Sequence, residues 1–412
     1  MSAHSQPLRT FTSLAFIMTA TILMFPQNTP AQQIRPDTGN LYAPLQALSD
    51  SNSPSLSYLA RDWADVEQWR IQGRAKMQSL LSYNTDAAPL DPVVLETVKR
   101  DGYTRELIRY TVTNGRSTEA YLLIPDGLTS PAPAVLALHD HGGFYYYGKE
   151  KHTATEGAPQ ILLDHIESAY GGRAYADALV RRGFVVLCPD AFYFGTQRLD
   201  DAAVSDRMKG DYPDLESNDI NKRVRAFNRF SGYMETITAK TIFTAGATWP
   251  GILFQGDRAS VDYLLTRPEV DGDRIGCMGL SIGGFRSAHL FGLDPRIKVG
   301  VVAGWMTSYD SLLRNHLRHH TWMVYVPGQQ NYLDLPDTAS LNAPRPLMVI
   351  NCLKDQLFTI DGMKAAENKL AAVYRKMGAS DKFKCNFYDV PHSLNVEMQE
   401  DAFDWIEAHL KP

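Results

Sequence analysis

Five uninterrupted apolar runs, each about one strand long, constrain this chain more than any other feature. They are AVLALH (134–139), FVVLCPD (184–190), RIGCMGLS (274–281), KVGVVAGW (298–305) and PLMVINCLKD (346–355). A strand with one face in water alternates apolar and polar residues, whereas a run without alternation is covered on both faces. Between the runs lie helix-like stretches: RAYADALVRRG, DRASVDYLLTRP, SIGGFRSAHLFG and DGMKAAENKLAAVYRKMG. Ahead of them LIRYTV and EAYLLIP do alternate, which predicts half-buried antiparallel strands. Antiparallel strands feeding a βαβα series predict an α/β fold, a mostly parallel sheet with helices on both faces.

Composition narrows the partners. With 41 Lys and Arg against 46 Asp and Glu, net charge −5, and no basic block, the chain has no electrostatic footprint for nucleic acid. Its 44% hydrophobic content supports a large core in 412 residues. Cys188, Cys277, Cys352 and Cys385 form no CxxC pair, and each lies in an apolar strand-like run. They read as small buried hydrophobes, not as a disulfide framework or a zinc ribbon.

The N-terminus reads as an address. Phe11 to Phe25 is an uncharged apolar run of about fifteen residues after Arg9, and Thr29-Pro30-Ala31 offers small residues for cleavage. A spanning helix needs ~20 residues. Residues 1–31 are therefore expected to be a secretory signal peptide, with a mature periplasmic or secreted chain from about Gln32 and no stable membrane association after its removal. In residues 32–90, Leu59, Trp63, Val66, Trp69, Met77 and Leu80 recur at roughly helical spacing and predict a helical extension. Residues 91–412 form the expected catalytic domain.

Three connections in that domain, at about 144–172, 191–255 and 306–344, far exceed the ~2–6 residues usual in α/β units. Each follows the C-terminal end of a strand, the edge where open α/β sheets bind ligands, so they are expected to form the walls and lid of a pocket. Acidic Asp200–Asp219, followed by Lys222-Arg223-Val224-Arg225, reads as a solvated face or a mobile lid.

Chemistry concentrates at Gly279-Leu280-Ser281-Ile282-Gly283, where a strand-like run meets a helix-like one. A serine on such a turn projects Oγ from the strand tip, and the glycines admit a strained backbone and close strand–helix approach. A serine hydroxyl needs a base to remove its proton, and the base needs an orienting acid. Asp355, just past PLMVINCLKD, suits the acid; His392, in DVPHSLN before the final helix, suits the base. The oxyanion donors expected are the N–H of Ile282 and, from the loop His139-Asp140-His141-Gly142-Gly143, that of His141, with Gly142 as the alternative. Trp305, Trp322 and Tyr325 are candidates for lining the pocket, as they are for the core. Read this way, the chemistry needs no cofactor and no metal.

HDHGG, DAFYFG, RIGCMGLSIGG, LKDQLF and VPHSLN together resemble the α/β-hydrolase superfamily, in its bacterial dienelactone-hydrolase-like and acetylxylan-esterase-like branch, over roughly Thr97 to Leu410. Serine stands at the elbow, where dienelactone hydrolases themselves carry cysteine. The resemblance implies Ser281 as nucleophile, Asp355 as acid, His392 as base, and His141 and Ile282 as oxyanion donors. It implies a serine esterase acting on small-molecule or carbohydrate esters. Two other readings stay open: a prolyl-oligopeptidase-like serine peptidase, and a metal-dependent hydrolase built on His139 and His141. His152, His165, His316, His319 and His320 would be the further candidate ligands. The sequence leaves the oligomeric state open.

Overall fold

The computed structural model describes residue 1, residues 35–82 and residues 88–411; the expected signal peptide lies outside the described residues. The chain divides into units of residues 1–35 and 36–412, and the second is described here.

Among the described residues, nine strands form one sheet: β1 (Val93–Arg100), β2 (Tyr103–Thr113), β3 (Arg116–Pro125), β4 (Ala132–Leu138), β5 (Val185–Pro189), β6 (Val270–Leu280), β7 (Ile297–Ala303), β8 (Leu347–Cys352) and β9 (Phe383–Tyr388). Their spatial order is β1-β2-β3-β5-β4-β6-β7-β8-β9. The first three strands and the β3–β5 pair are antiparallel. Every pair from β5–β4 to β8–β9 is parallel. The five apolar runs became β4 to β8, as their lack of alternation predicts. Along β4, Ala134, Leu136 and Leu138 enter one core cluster while Val135 and Ala137 enter the other. Both faces are therefore dry, which is why the run does not alternate. Strand β1, largely exposed, is an edge that the alternation test did not pick out.

The described residues of the extension include the α-helices Tyr42–Asp50 and Val66–Leu81. Asp65 caps the second by accepting from Glu67 N at 2.8 Å, and its buried face is Trp69, Gly73, Met77 and Leu81. The aromatic and aliphatic members of that face join the core cluster on one side of the sheet. Their spacing of four is the period that brings residues onto one helix face. The long connections are more ordered than loops: 144–172 carries the helix Gln160–Tyr170, and 191–255 carries the 25-residue helix Ile220–Thr244. The four cysteines are free thiols, three buried and Cys385 partly so.

Candidate active site

Topology sets the site before any side chain does. Strand β4 pairs with β6 in a register that places Leu138 opposite Gly279. The loop His139–Gly143 and Ser281 therefore leave neighbouring strands at the same level. Strands β8 and β9 pair with Cys352 opposite Tyr388, so Asp355 and His392 leave a second neighbouring pair of strand ends.

Ser281 sits between β6 and the helix Ile282–Leu293 with φ 60° and ψ −120°. A positive φ is uncommon for a residue with a side chain and costs of order 1–3 kcal/mol, so the surroundings must hold it. Close packing does so: a Cβ on Gly279 would lie 2.5 Å from Leu138 O, and one on Gly283 2.1 Å from the same oxygen. Only glycine lets the turn press against β4. Ser281 N donates to Ala303 O at 2.9 Å, fixing the turn on its other side.

Asp355 and His392 meet across the second pair of strand ends. His392 Nδ1 is 2.6 Å from Asp355 Oδ2, and the other carboxylate oxygen accepts from Leu357 N at 2.9 Å. The Asp355 side chain is fully buried. His392 Nε2 is also buried and has no hydrogen-bond partner among the described residues. Ser281, His392, Ile282, His141 and Gly142 all line one cavity of about 450 Å³, whose apolar wall includes Leu280, Trp305, Val324, Leu357 and Phe358. A fold of this topology, with a strained serine between strand and helix and a His–Asp pair beside it, narrows the field of families. The profile of the Abhydrolase family matches residues 47–389.

The chain belongs to that family. Among relatives of this abhydrolase, the Bacillus subtilis (strain 168) protein named "Putative hydrolase YtaP" is 27% identical over 316 residues, 76% of this chain and 91% of that one. Its fold is shared by a Bacteroides fragilis NCTC 9343 protein titled "putative acetyl xylan esterase", at TM-score 0.66 and 17% identity, covering 85% of this chain and 84% of that one. The glucuronoyl esterase of Solibacter usitatus matches at TM-score 0.56 and 14% identity, covering 87% and 99%. At such identities the likeness is one of fold.

The remaining sequence candidates divide. Trp305 is 4% exposed and lines the cavity; Trp322 is 40% exposed, stands outside that lining and donates from its indole to Thr236 Oγ1 at 3.2 Å. His165, His319 and His320 line the cavity. His320 donates from Nε2 to Leu357 O at 3.0 Å, and burial pushes its pKa down to about 4. His139 uses both ring nitrogens on backbone groups: Nε2 accepts from Ala191 N, so Nδ1 carries the proton and donates to Asp140 O. Burial holds its pKa well below the ordinary value. Among the described residues no three His, Cys, Asp or Glu side chains gather closely enough to hold a metal ion.

The abhydrolase core also carries a site residue that the sequence reading missed. Glu235, 7% exposed on the helix Ile220–Thr244, accepts on one oxygen from His141 Nε2 at 2.8 Å, Tyr145 Oη at 2.7 Å and Thr321 Oγ1 at 2.9 Å. His141 Nδ1 accepts from Gly143 N at 2.9 Å, which leaves the proton on Nε2 and makes His141 the donor to Glu235. Tyr145, Glu235 and Thr321 come from the three long connections in turn, so one carboxylate ties all three to the loop beside Ser281. The signal was a glutamate beside the apolar residues Phe227, Phe230 and Met234 on the buried face of a helix opened by Asp219.

Proposed function

We propose that this abhydrolase is a serine esterase that cleaves carboxylic esters through an acyl-enzyme, with Ser281, His392 and Asp355 as its triad. The observation that carries the reading is His392 itself: Asp355 holds one ring nitrogen, and the other is buried and unspent within a cavity that Ser281 also lines. A base so arranged takes the proton from the Ser281 hydroxyl as its oxygen attacks the ester carbonyl. The N–H groups of Ile282 and of His141, or of Gly142, then stabilise the oxyanion. His392 returns the proton to the leaving alcohol, then draws one from water as its oxygen attacks the acyl group, and passes that proton to Ser281 Oγ as the acid departs, while Asp355 stabilises the imidazolium. A carbohydrate ester is the substrate class we propose, in line with fold neighbours titled as acetyl xylan and glucuronoyl esterases, and the cavity offers Trp305 and Phe358 as apolar wall. Export by the segment 1–31 belongs to the same proposal.

Hydrolysis of p-nitrophenyl acetate and butyrate by residues 32–412, beside Ser281→Ala and with a chelator present, tests it. Activity indifferent to chelator and lost in the variant is the expected result. Chelator-sensitive activity surviving in Ser281→Ala would overturn the reading in favour of a metal-dependent one.

A further inference from the structure

We infer that Lys151 is a positioning residue for the oxyanion hole, its ammonium holding the backbone of the His139–Gly143 loop from behind. Lys151 lies in a short 3₁₀ turn, Lys149–Lys151, and its residue surface is fully buried. Its Nζ donates to Asp140 O at 2.7 Å and to His141 O at 3.2 Å. In a trans peptide the N–H points opposite to the C=O. With both carbonyls converging on one ammonium, the N–H groups of the next residues, His141 and Gly142, face away from it. Both residues line the cavity with Ser281, and Lys151 does not. Neither N–H is used in a hydrogen bond among the described residues, whereas Gly143 N is spent on His141 Nδ1.

Each carbonyl has a second donor that fixes its direction: His139 Nδ1 at 2.9 Å on Asp140 O, and Phe144 N at 2.9 Å on His141 O. The lysine adds what these neutral donors lack, a charge that strengthens both bonds and polarises the peptides toward the cavity. A buried cation is costly, and this one is only loosely paired: Asp140 Oδ2 stands 3.9 Å away, with the Phe194 ring 4.6 Å from Nζ. A merely structural position would be served by an apolar residue at lower cost.

The charge is also marginal. Burial lowers the Lys151 pKa to about 8, against support from Asp140, Asp190 and Glu150 and opposition from Arg286. The neighbouring imidazoles of His139 and His152 have pKa values lowered by their own burial and stay neutral near pH 7. Because the folded value lies below the unfolded one of ~10.4, Lys151 costs stability at pH below about 8, and that cost fades as pH rises toward 10. Loss of this charge therefore weakens catalysis in a range where it does not weaken folding.

The inference rests on Ser281 being the nucleophile, so Lys151→Met, Lys151→Arg and Ser281→Ala are assayed together on p-nitrophenyl acetate, with inhibition by a trifluoromethyl ketone. Serine adds to the ketone carbonyl to give a hemiketal oxyanion, so its affinity reports the hole. Lys151→Met is expected to lower kcat about 10²-fold, the scale of one lost oxyanion donor, with KM within about threefold and the ketone weakened in parallel. Lys151→Arg should recover part of both. A folded Lys151→Met with kcat within about threefold of wild type, or with kcat lost and ketone affinity intact, would overturn the inference alone. Turnover in Ser281→Ala would overturn the proposed reaction and the inference with it. Should Lys151→Met fail to fold, wild type decides: kcat/KM falling on the alkaline side through about pH 8 while Tm holds supports the role, and a plateau to pH 10 contradicts it.

Discussion

His392 Nδ1 and Asp355 Oδ2 stand 2.6 Å apart although 37 residues separate them in the chain. The contact exists because β8 and β9 are parallel neighbours, so both residues leave the same edge of the sheet. With Nδ1 donating to Asp355, the lone pair of Nε2 has no hydrogen-bond partner among the described residues, the tautomer a general base requires.

Asp355→Asn keeps the volume but loses the charge, and its amide can donate to Nδ1 and so favour the wrong tautomer. We expect kcat to fall about 10⁴-fold with little change in KM. Steady-state kinetics on p-nitrophenyl acetate, with circular dichroism to verify folding, provides the check.

Glu235 makes stability depend on acid. Burial raises its carboxyl pKa, but the bonds from His141, Tyr145 and Thr321 outweigh burial and leave it lowered. Its contribution is then full above the ordinary carboxylate value of ~4.3 and is lost as pH falls through the lower folded value. Glu235→Gln should lower Tm at pH 7, and the gap to wild type should narrow as pH falls below ~4.3. A gap constant from pH 7 to pH 3 would deny the charge a role.

On the helix Ile282–Leu293, Arg286 Nε donates to Asp257 Oδ2 at 3.0 Å, and both side chains are 2% exposed. Asp257→Ala strands a buried guanidinium, and we expect it to cost about 3–5 kcal/mol of unfolding free energy, read from urea midpoints.

Gly283→Ala places a methyl carbon where Leu138 O already lies, at 2.1 Å in the unrelaxed backbone. Relief requires the elbow to move away from β4, shifting Ser281 against the oxyanion loop. Misplacement on the ångström scale costs about 10² in rate, and kcat/KM of the variant should show it.

What was legible in the sequence follows from how local each signal is. Strands β4 to β8 were read because dry faces leave unbroken apolar runs, and the Ser281 turn because its glycines abut it in sequence. Asp355 and His392 could be placed at strand ends, but their 2.6 Å contact is a product of strand order. Strand β1 escaped because an exposed edge carries no burial pattern. Glu235 and Lys151 escaped for a different reason: each is a charged residue in a long connection, where charge reads as solvation. Their burial depends on Tyr145, Thr321, Phe194 and the oxyanion loop folding around them.

In the proposed reaction Ser281 becomes covalently acylated with His392 as its base. Brief incubation with diisopropyl fluorophosphate, followed by intact-mass and peptide mass spectrometry, tests it most directly. One adduct per chain is expected, on the peptide carrying Ser281, absent in Ser281→Ala and strongly slowed in His392→Ala. Full ester hydrolysis by a chain that takes no adduct at Ser281, or takes it equally fast without His392, would contradict it.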